Sequence, residues 1–210
     1  MNQVDHIKYL VNCGYLVLGK EIKIEENVVF IKFAGINGII RIGDNCVLRS
    51  GCTIYGGCRF GNNVMIGHNT VIMEKTVISD NTYIGGLVNC EGNSKIGSNC
   101  GINAQSHITK FTEIGNYVFL GPMVCTVNDW DMRYKREGHG KNLAGPKIKD
   151  GVRIGAMATI LPNIELGKNC IVGAGSTVTK NVIENEIVFG SPAEHKGTVP
   201  IADRLCLIKS

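Results

Sequence analysis

The stretch that decides the fold reads Ile66-Gly67-His68-Asn69-Thr70-Val71, and Ile72 begins the same pattern again. An apolar residue recurs at every sixth position, at eighteen consecutive positions. An α-helix repeats its apolar face every 3.6 residues and a strand every two, so a strict period of six fits neither. It predicts a chain wound into flat-sided coils, in which each hexapeptide builds one face. The series consists of Leu18, Ile24, Phe30, Ile36, Ile42, Leu48, Ile54, Phe60, Ile66, Ile72, Ile78, Ile84, Cys90, Ile96, Ile102, Ile108, Ile114 and Leu120.

Other positions of the hexapeptide agree with this interpretation. The residue four places after each periodic one is small or β-branched, as at Ala34, Cys46 and Thr70, which suits strands. Because side chains alternate along a strand, we expect positions four and six to point inward and position five outward. Glycine often follows the periodic residue, as at Gly61, and tolerates the tight corners of a coil. Three faces close a triangular coil of about eighteen residues, so we expect an all-β parallel β-helix of about eight coils.

The period fails once. Thr126 stands where an apolar residue is expected, and the pattern returns in a new phase at Ile148. An insertion between coils usually forms a loop on one face, often the binding face. We therefore expect an N-terminal cap over residues 1–17, coils over 18–125, an extruded substrate loop over 126–147, coils over 148–183 and a C-terminal tail or cap over 184–210.

Composition narrows the function. The chain has 210 residues and nine cysteines, most of them at inward positions where a free thiol acts as a small hydrophobe. We therefore expect a single reduced, cytoplasmic domain. Zinc-ligand spacings are lacking, so no metal is expected. A net charge of +4 does not suggest nucleic acid. No apolar run is long enough for a membrane span, and residues 1–15 do not look like a secretory signal.

Several segments resemble the hexapeptide-repeat acyltransferases, and together they cover nearly the whole chain. The resemblance implies a left-handed parallel β-helix, a homotrimer and an acyl-CoA donor, here acetyl-CoA. The hand follows from the resemblance alone, since ordinary crossovers are right-handed. The matching segments are Ile66–Val71, Ile114–Phe119, Ile154–Pro162, Val172–Lys180 and Gly190–Ala193.

The segment from Gly121 to Asp129 is similar to the G-P-x-x-x-x-x-N segment of N-acetyltransferases that act on nucleotide-linked 3-amino sugars. That resemblance implies that Asn128 holds the sugar amine. Galactoside and maltose O-acetyltransferases place a catalytic histidine three residues further on, where this chain has Asp131. A hydroxyl needs a general base, whereas a neutral amine mainly needs positioning and an acceptor such as the Asn128 oxygen. The favoured function is therefore N-acetylation of a nucleotide-linked amino sugar, as in glycan precursor synthesis. Alternatively, Asn128 only closes a corner.

Histidines provide candidates for proton transfer. His107 occupies an outward position, and Cys125 lies eighteen residues later on the same face, three residues before Asn128. One coil of separation would bring His107 near Asn128, so His107 is our candidate general base. His139 lies in the insertion between two glycines and could swing over a substrate. An O-acetyltransferase that uses one of these histidines is the alternative enzyme, and an exposed or interface histidine is the alternative for His107.

The insertion is basic. Arg and Lys side chains suit phosphates, and Arg gives them bidentate bonds. A loop that reaches a neighbouring subunit and holds phosphates is one interpretation, and an ordinary solvated loop is the other. The candidate substrate-binding residues are Asp129, Arg133, Arg136 and His139; Lys135, Lys141 and Lys147 add to the charge.

The resemblance also indicates where the donor lies. Small residues at Ala156, Gly173 and Ala174 would let pantetheine approach the backbone, and Lys180 and Lys196 would meet the phosphates. These small residues also suit coil corners. A γ-type carbonic anhydrase shares the coil but needs closely spaced zinc-binding histidines, which are absent. A non-enzymatic scaffold stays open, although it has little use for the Asn128 segment.

Overall fold

A short helix precedes the coils. In the computed structural model, which describes residues 2–32 and 38–205, helix α1 spans Gln3–Asn12. Its N-cap is Asn2, whose side-chain oxygen accepts from the Asp5 N–H at 2.9 Å, as N-cap residues do. α1 buries Leu10 against the first coil, so the apolar end of the prism is covered.

Twenty-six short strands follow in the described part of the chain. The first three coils contain β1 (Leu16–Leu18), β2 (Lys23–Ile24), β3 (Val29–Ile31), β4 (Ile40–Ile42), β5 (Val47–Leu48), β6 (Thr53–Tyr55), β7 (Arg59–Phe60), β8 (Met65–Ile66) and β9 (Val71–Ile72). The next three contain β10 (Val77–Ile78), β11 (Tyr83–Ile84), β12 (Asn89–Cys90), β13 (Lys95–Ile96), β14 (Gly101–Ile102), β15 (His107–Ile108), β16 (Glu113–Ile114), β17 (Phe119–Leu120) and β18 (Cys125–Thr126). The last two contain β19 (Lys147–Ile148), β20 (Arg153–Ile154), β21 (Thr159–Ile160), β22 (Glu165–Leu166), β23 (Ile171–Val172) and β24 (Thr177–Val178).

The coils stack into three parallel sheets. The first strand of every coil joins sheet A, the second sheet B and the third sheet C. Ile84 pairs with Ile66 on one side and with Ile102 on the other. Each coil therefore adds one residue to this row of isoleucines. After the coils, β25 (Glu186–Phe189) extends sheet B in parallel and β26 (Glu194–Thr198) closes it antiparallel. A 3-10 turn spans Ile201–Asp203.

The core lies inside the prism, as the sixfold period predicts. Periodic residues such as Ile66 and Ile102 are fully buried, and so are position-four residues such as Cys46 and Thr70. The cysteines at inward positions are free thiols. Burial raises the pKa of Cys52, Cys58 and Cys170 to about 12, so these thiols stay protonated.

Corner residues differ between the edges of the prism. At the corner between sheets A and B, left-handed backbone is taken mostly by asparagine, such as Asn63 and Asn81. At the corner between sheets B and C, it is also taken by Leu87, Met123 and Met157, which are exposed. A left-handed conformation costs a residue with a Cβ about 1 kcal/mol or more, and asparagine tolerates it better. The B–C corner therefore carries an exposed apolar ridge in strained positions.

Two expectations about the coils need correction. Leu18 pairs with Ile42, twenty-four residues later, whereas Ile42 pairs with Phe60 after the usual eighteen. The first coil is longer by one hexapeptide; Ala34 and Ile36, which we expected to line a face, lie outside the described residues. Thr126 is not a break either, because it is fully buried in β18.

The insertion is shorter than predicted. Lys147 belongs to β19 and pairs with Glu113 and Glu165 on sheet A. The segment that leaves the coils therefore lies between β18 and β19, within residues 127–146, and not over 126–147. Lys147 is an outward residue of a strand and does not belong to the basic loop.

Candidate active site

His107 lies on the outer side of sheet C. In register, its neighbours are Asn89 on the preceding coil and Cys125 on the following one, so the expected pairing with Cys125 is present. The side chain is 37% exposed, and its Nε2 lies 3.1 Å from Oε1 of Glu91. The ring is therefore held at one nitrogen and open to solvent.

Lys110 connects His107 with Asn128. Lys110 lies at the corner between sheet C and the next sheet A strand. Its backbone N–H donates to Oε2 of Glu91 at 3.3 Å, and its carbonyl oxygen accepts from Nδ2 of Asn128 at 3.3 Å. The two predicted catalytic residues thus lie at the same end of sheet C, linked through the Glu91 carboxylate and the backbone of Lys110.

The Lys110 side chain contacts a further residue, Glu74. Its ammonium donates to Oε1 of Glu74 at 3.0 Å, and the Glu74 side chain is 14% exposed. Burial raises the pKa of the Glu74 carboxyl, but the Lys110 ammonium and the other hydrogen bonds and charges outweigh it and hold that pKa below its usual value. Lys110 is consequently fixed at both its backbone and its side chain.

Two further groups complete the surroundings of His107. The amide oxygen of Asn89 is buried and has no hydrogen-bond partner among the described residues, which is uncommon for a buried polar atom. Burial, and secondly the negative charge of Glu91, raise the pKa of the Cys125 thiol. The Glu91 carboxylate therefore interacts with His107 and also affects the pKa of Cys125.

Asn128 and Ala144 form the root of the inserted loop. The Asn128 carbonyl accepts from the Ala144 N–H at 2.9 Å. Asp129 then turns the chain, since its Oδ1 accepts from the N–H groups of Asp131 and Met132 at 3.1 and 2.9 Å. Asp129, predicted to bind substrate, has a local role in the loop, and Asn128 is both a loop-closing residue and part of the site.

The basic residues of the loop are exposed. Arg133 pairs with Asp131 at 3.4 Å and donates to the Glu137 carbonyl at 3.4 Å. His139 packs edge-on against Tyr134 with ring centroids 5.4 Å apart. Arg133, Arg136 and His139 therefore project from the prism, and their described contacts stay within the loop. Within this chain the structure does not bring them to His107.

A groove of 640 Å³ lies between the loop and the last two coils. Trp130 borders it on the loop side, and Thr179, Lys180 and Asn181 border it on the coil side. Lys180, a predicted donor-binding residue, thus shares a groove with the exposed indole. The sequence pattern gave no reason to include Trp130, although it is the only tryptophan of the chain.

The predicted donor residues do not form one cluster. Ala156, Gly173 and Ala174 follow sheet B strands at the B–C corner, whereas Lys180 follows a sheet C strand at the opposite side of that face. Packing alone also requires glycine at position 173, because a Cβ there would lie 2.6 Å from Cβ of Phe189. Lys196 lies in β26, paired with Glu194 at 3.2 Å. Sheet C thus lies between the small residues predicted to face pantetheine and Lys180, which is predicted to meet the phosphates, and the donor contacts of these residues stay a prediction.

Glu91 and Lys110 were missed by sequence reasoning. Counting eighteen residues back from Thr109 gives Glu91, the residue next to a buried core cysteine. Coil arithmetic applied to the neighbours of His107 would therefore have found it. Lys110 contacts Glu91 and Asn128 through its backbone. Residue type does not predict backbone contacts of this kind.

The described residues offer neither a metal-binding cluster nor a membrane-spanning helix. Between residues 2–32 and 38–205, no group of three or more His, Cys, Asp or Glu is arranged to hold a metal ion. No helix in that part of the chain is long and apolar enough to cross a membrane.

A triangular stack of hexapeptide coils with one extruded loop defines the class of β-helix proteins. Residues 145–180 match the bacterial transferase hexapeptide model, and residues 21–56 match the model of the hexapeptide repeat of succinyl-transferase. Two separate segments of the chain thus carry the hexapeptide-repeat signature.

Characterised relatives are acetyltransferases. The chain is 30% identical over 121 residues to galactoside O-acetyltransferase of Lactococcus lactis, covering 53% of this chain and 57% of that protein. It is 50% identical over 82 residues to serine acetyltransferase of Buchnera aphidicola, covering 37% of this chain and 30% of that one. The chain thus spans 57% of the length of the first relative and 30% of the length of the second.

One solved structure shows the fold. The UDP-N-acetylglucosamine acyltransferase of Bacteroides fragilis superimposes with a TM-score of 0.63 at 18% identity, over 88% of this chain and 71% of that one. The shared architecture is the left-handed parallel β-helix, so the hand taken from the resemblance is confirmed.

Proposed function

We propose that the protein is an N-acetyltransferase that uses acetyl-CoA and acts on the amino group of a nucleotide-linked amino sugar. The observation that carries the proposal is the placement of His107 and Asn128 at one end of sheet C, joined through Glu91 and Lys110. This pair provides a proton acceptor and a fixed amide, which are the two groups that acyl transfer to an amine needs.

Asn128 orients the acceptor amine. Its Nδ2 is engaged by the Lys110 carbonyl, so its Oδ1 is the atom that accepts an N–H of the amine. The amine nitrogen attacks the thioester carbonyl, and the new C–N bond forms as the C–S bond breaks. His107 takes the proton that the amine loses, and it returns that proton to the departing thiolate.

The donor is proposed to lie across sheet C. Lys180 in the groove beside Trp130 meets the phosphates, and the chain of the donor passes over Thr159 and Thr177 toward Ala156 and Ala174. This path would bring one donor molecule to Lys180 on one side of sheet C and to Ala156 and Ala174 on the other. For Gly173 and Lys196, contact with the donor stays a prediction.

The acceptor's nucleotide is proposed to meet the basic loop. Arg133 and Arg136 are exposed, and guanidinium groups bind phosphate in a bidentate manner. Because Arg133, Arg136 and His139 are exposed, we assign them to the site of a neighbouring copy. For Asp129, which turns the chain at the root of the loop, contact with substrate stays a prediction.

A homotrimer is the assembly that we propose. The outer side of sheet A carries charged residues such as Arg59, Lys95 and Glu165, whereas sheet B carries Tyr83 and Phe119, both exposed. Protein interfaces are depleted in charge and rich in aromatic residues and Met. Sheets B and C, with the Met123 and Met157 ridge between them, are therefore the faces that neighbouring copies would cover.

An O-acetyltransferase is the second candidate. The likeness to galactoside O-acetyltransferase supports it, and so does the presence of His107, since a sugar hydroxyl requires a base. Asp131 stands where the resemblance would place the histidine of that branch, and it pairs with Arg133. We therefore give N-acetylation preference.

The compartment is proposed to be the reducing cytoplasm. All eight described cysteines are free thiols, although the fold brings many of them into one core. Proteins from oxidising compartments generally use their cysteines in disulfides.

An acceptor panel tests the proposal. The protein is incubated with acetyl-CoA and nucleotide-linked amino sugars, each matched with its hydroxyl counterpart, and products are read by mass. Acetylation of amines alone supports the proposal, and acetylation of hydroxyls alone supports the second candidate. Asn128→Ala and His107→Ala should lower kcat strongly with little change in KM for acetyl-CoA. Turnover of neither class, with no thermal stabilisation by acetyl-CoA, contradicts both.

A further inference from the structure

Both carboxylate oxygens of Glu91 form contacts within the candidate site. Oε1 lies 3.1 Å from Nε2 of His107, and Oε2 accepts from the Lys110 backbone N–H at 3.3 Å. The carboxylate is thus held from two directions, and no torsion of its side chain can turn it away from His107 without breaking the second bond.

This contact decides which nitrogen of His107 is free. A carboxylate accepts hydrogen bonds and does not donate, so Nε2 must carry the hydrogen of the shared bond. In a neutral imidazole the other nitrogen, Nδ1, then holds the lone pair. We propose that Glu91 is a positioning residue that keeps Nε2 protonated and makes Nδ1 of His107 the atom that takes the proton. The proposal rests on the proposed function and deepens it.

Glu91 also couples His107 to Asn128. The Lys110 backbone joins them, because its N–H donates to Oε2 of Glu91 and its carbonyl oxygen accepts from Nδ2 of Asn128. Sheet pairing fixes the spacing of the two coils, as between His107 and Cys125, and this connection adds side-chain orientation to that spacing. Loss of Glu91 therefore affects proton transfer and the orientation of the amine together, and leaves the donor groove around Lys180 unchanged.

Kinetics of paired variants provide the first test. Glu91→Ala should lower kcat by about 10- to 100-fold, the loss seen when a partner that orients a metal-binding histidine is removed, with KM for acetyl-CoA nearly unchanged. Glu91→Gln keeps an acceptor oxygen and should recover part of the loss. In a His107→Ala background, Glu91→Ala should cost little more, because the group that it positions is gone. Glu113→Gln, an exposed carboxylate on sheet A, is the matched control.

Nitrogen NMR provides a readout that does not depend on turnover. In uniformly ¹⁵N-labelled protein above pH 8, the His107 signals, assigned by their loss in His107→Ala, should report hydrogen on Nε2 and a lone pair on Nδ1. Glu91→Ala should shift them toward a mixture of tautomers. An unchanged tautomer in Glu91→Ala, or full additivity of the two variants in kcat, overturns the proposal. If no acceptor is acetylated, the proposed function fails while the tautomer measurement still decides the role of Glu91.

Discussion

The hydroxyl of Thr126 accepts a hydrogen bond from the backbone N–H of Thr109 at 2.8 Å and lies 2.9 Å from the Thr109 hydroxyl. The Thr112 hydroxyl is 3.3 Å away, and all three side chains are buried. A small polar cluster thus fills the core just below the inserted loop, at the position where the sixfold pattern requires an apolar residue.

Thr126→Val should therefore destabilise the protein even though it restores the apolar pattern. Valine has the same shape but leaves the buried Thr109 N–H without an acceptor, which costs about 1–3 kcal/mol. Chemical denaturation measures the loss. Thr53→Val, at an outward strand position, is the matched control and should change little. Equal or greater stability of Thr126→Val would show that the hydroxyl cluster has no structural role.

The coils were predictable because their determinants are local and repeated. A side chain such as Ile66 meets its counterparts Leu48 and Ile84 one coil away, so a single spacing fixes the sheets, the core and the number of coils. Thr126 misled the prediction because its polarity is satisfied by residues of an adjacent coil. No pattern in one hexapeptide shows such a partner.

The site was predictable only in part, for the same reason. His107 and Asn128 follow from strand alternation and from a resemblance. Glu91 lies one coil before His107, and Lys110 contacts Glu91 and Asn128 through its backbone. The donor residues were assigned by residue type, and small residues also serve the corners. Gly173 illustrates that ambiguity, since its packing against Phe189 is enough to require a glycine.

Gly155→Ala should destabilise the last two coils. A Cβ at Gly155 would lie 2.4 Å from the Ala174 nitrogen and 2.7 Å from its Cα. Backbone cannot move aside as a flexible side chain can, so overpacking of about 1–3 kcal/mol is expected. A lower melting temperature would be seen by calorimetry. Gly197→Ala is the control, because a Cβ there meets nothing within 4 Å; equal melting temperatures for the two variants would contradict the packing.

The Lys110–Glu74 pair should make stability depend on acid pH. Because the pKa of Glu74 is lowered in the folded protein, its ionised form contributes stability above the ordinary carboxyl pKa of 4.5, and this contribution is lost as pH falls through the folded pKa. Lys110→Met should reduce the free energy of unfolding at pH 7, and the difference from wild type should shrink toward pH 3. Lys95→Met removes an exposed pair that contributes little. A difference that stays constant with pH would show that the pair is not the cause.

Alkylation of Cys125 should report the charge of Glu91. The thiolate is the form that reacts with iodoacetamide, and Glu91 adds to burial in raising the pKa of Cys125. Glu91→Gln should therefore speed alkylation of Cys125 at pH 8, while exposed Cys13 reacts at its wild-type rate in the same sample. Peptide mass spectrometry follows both sites. An unchanged rate at Cys125 in this variant would place the Glu91 charge away from the thiol, and a slower rate would contradict the sign of its effect.

The apolar ridge at the B–C corner should control assembly. Met123 and Met157 hold left-handed backbone that asparagine adopts more readily, so their replacement by Asn should not destabilise the separate chain. If neighbouring copies cover the ridge, losing two buried methionines weakens the trimer by about tenfold or more. Sedimentation velocity over a dilution series measures the shift. Tyr117→Asn, also left-handed and exposed but at the A–B corner, should leave the trimer intact. Dissociation of this control, or an unchanged trimer in the Met123→Asn, Met157→Asn variant, would place the interface elsewhere.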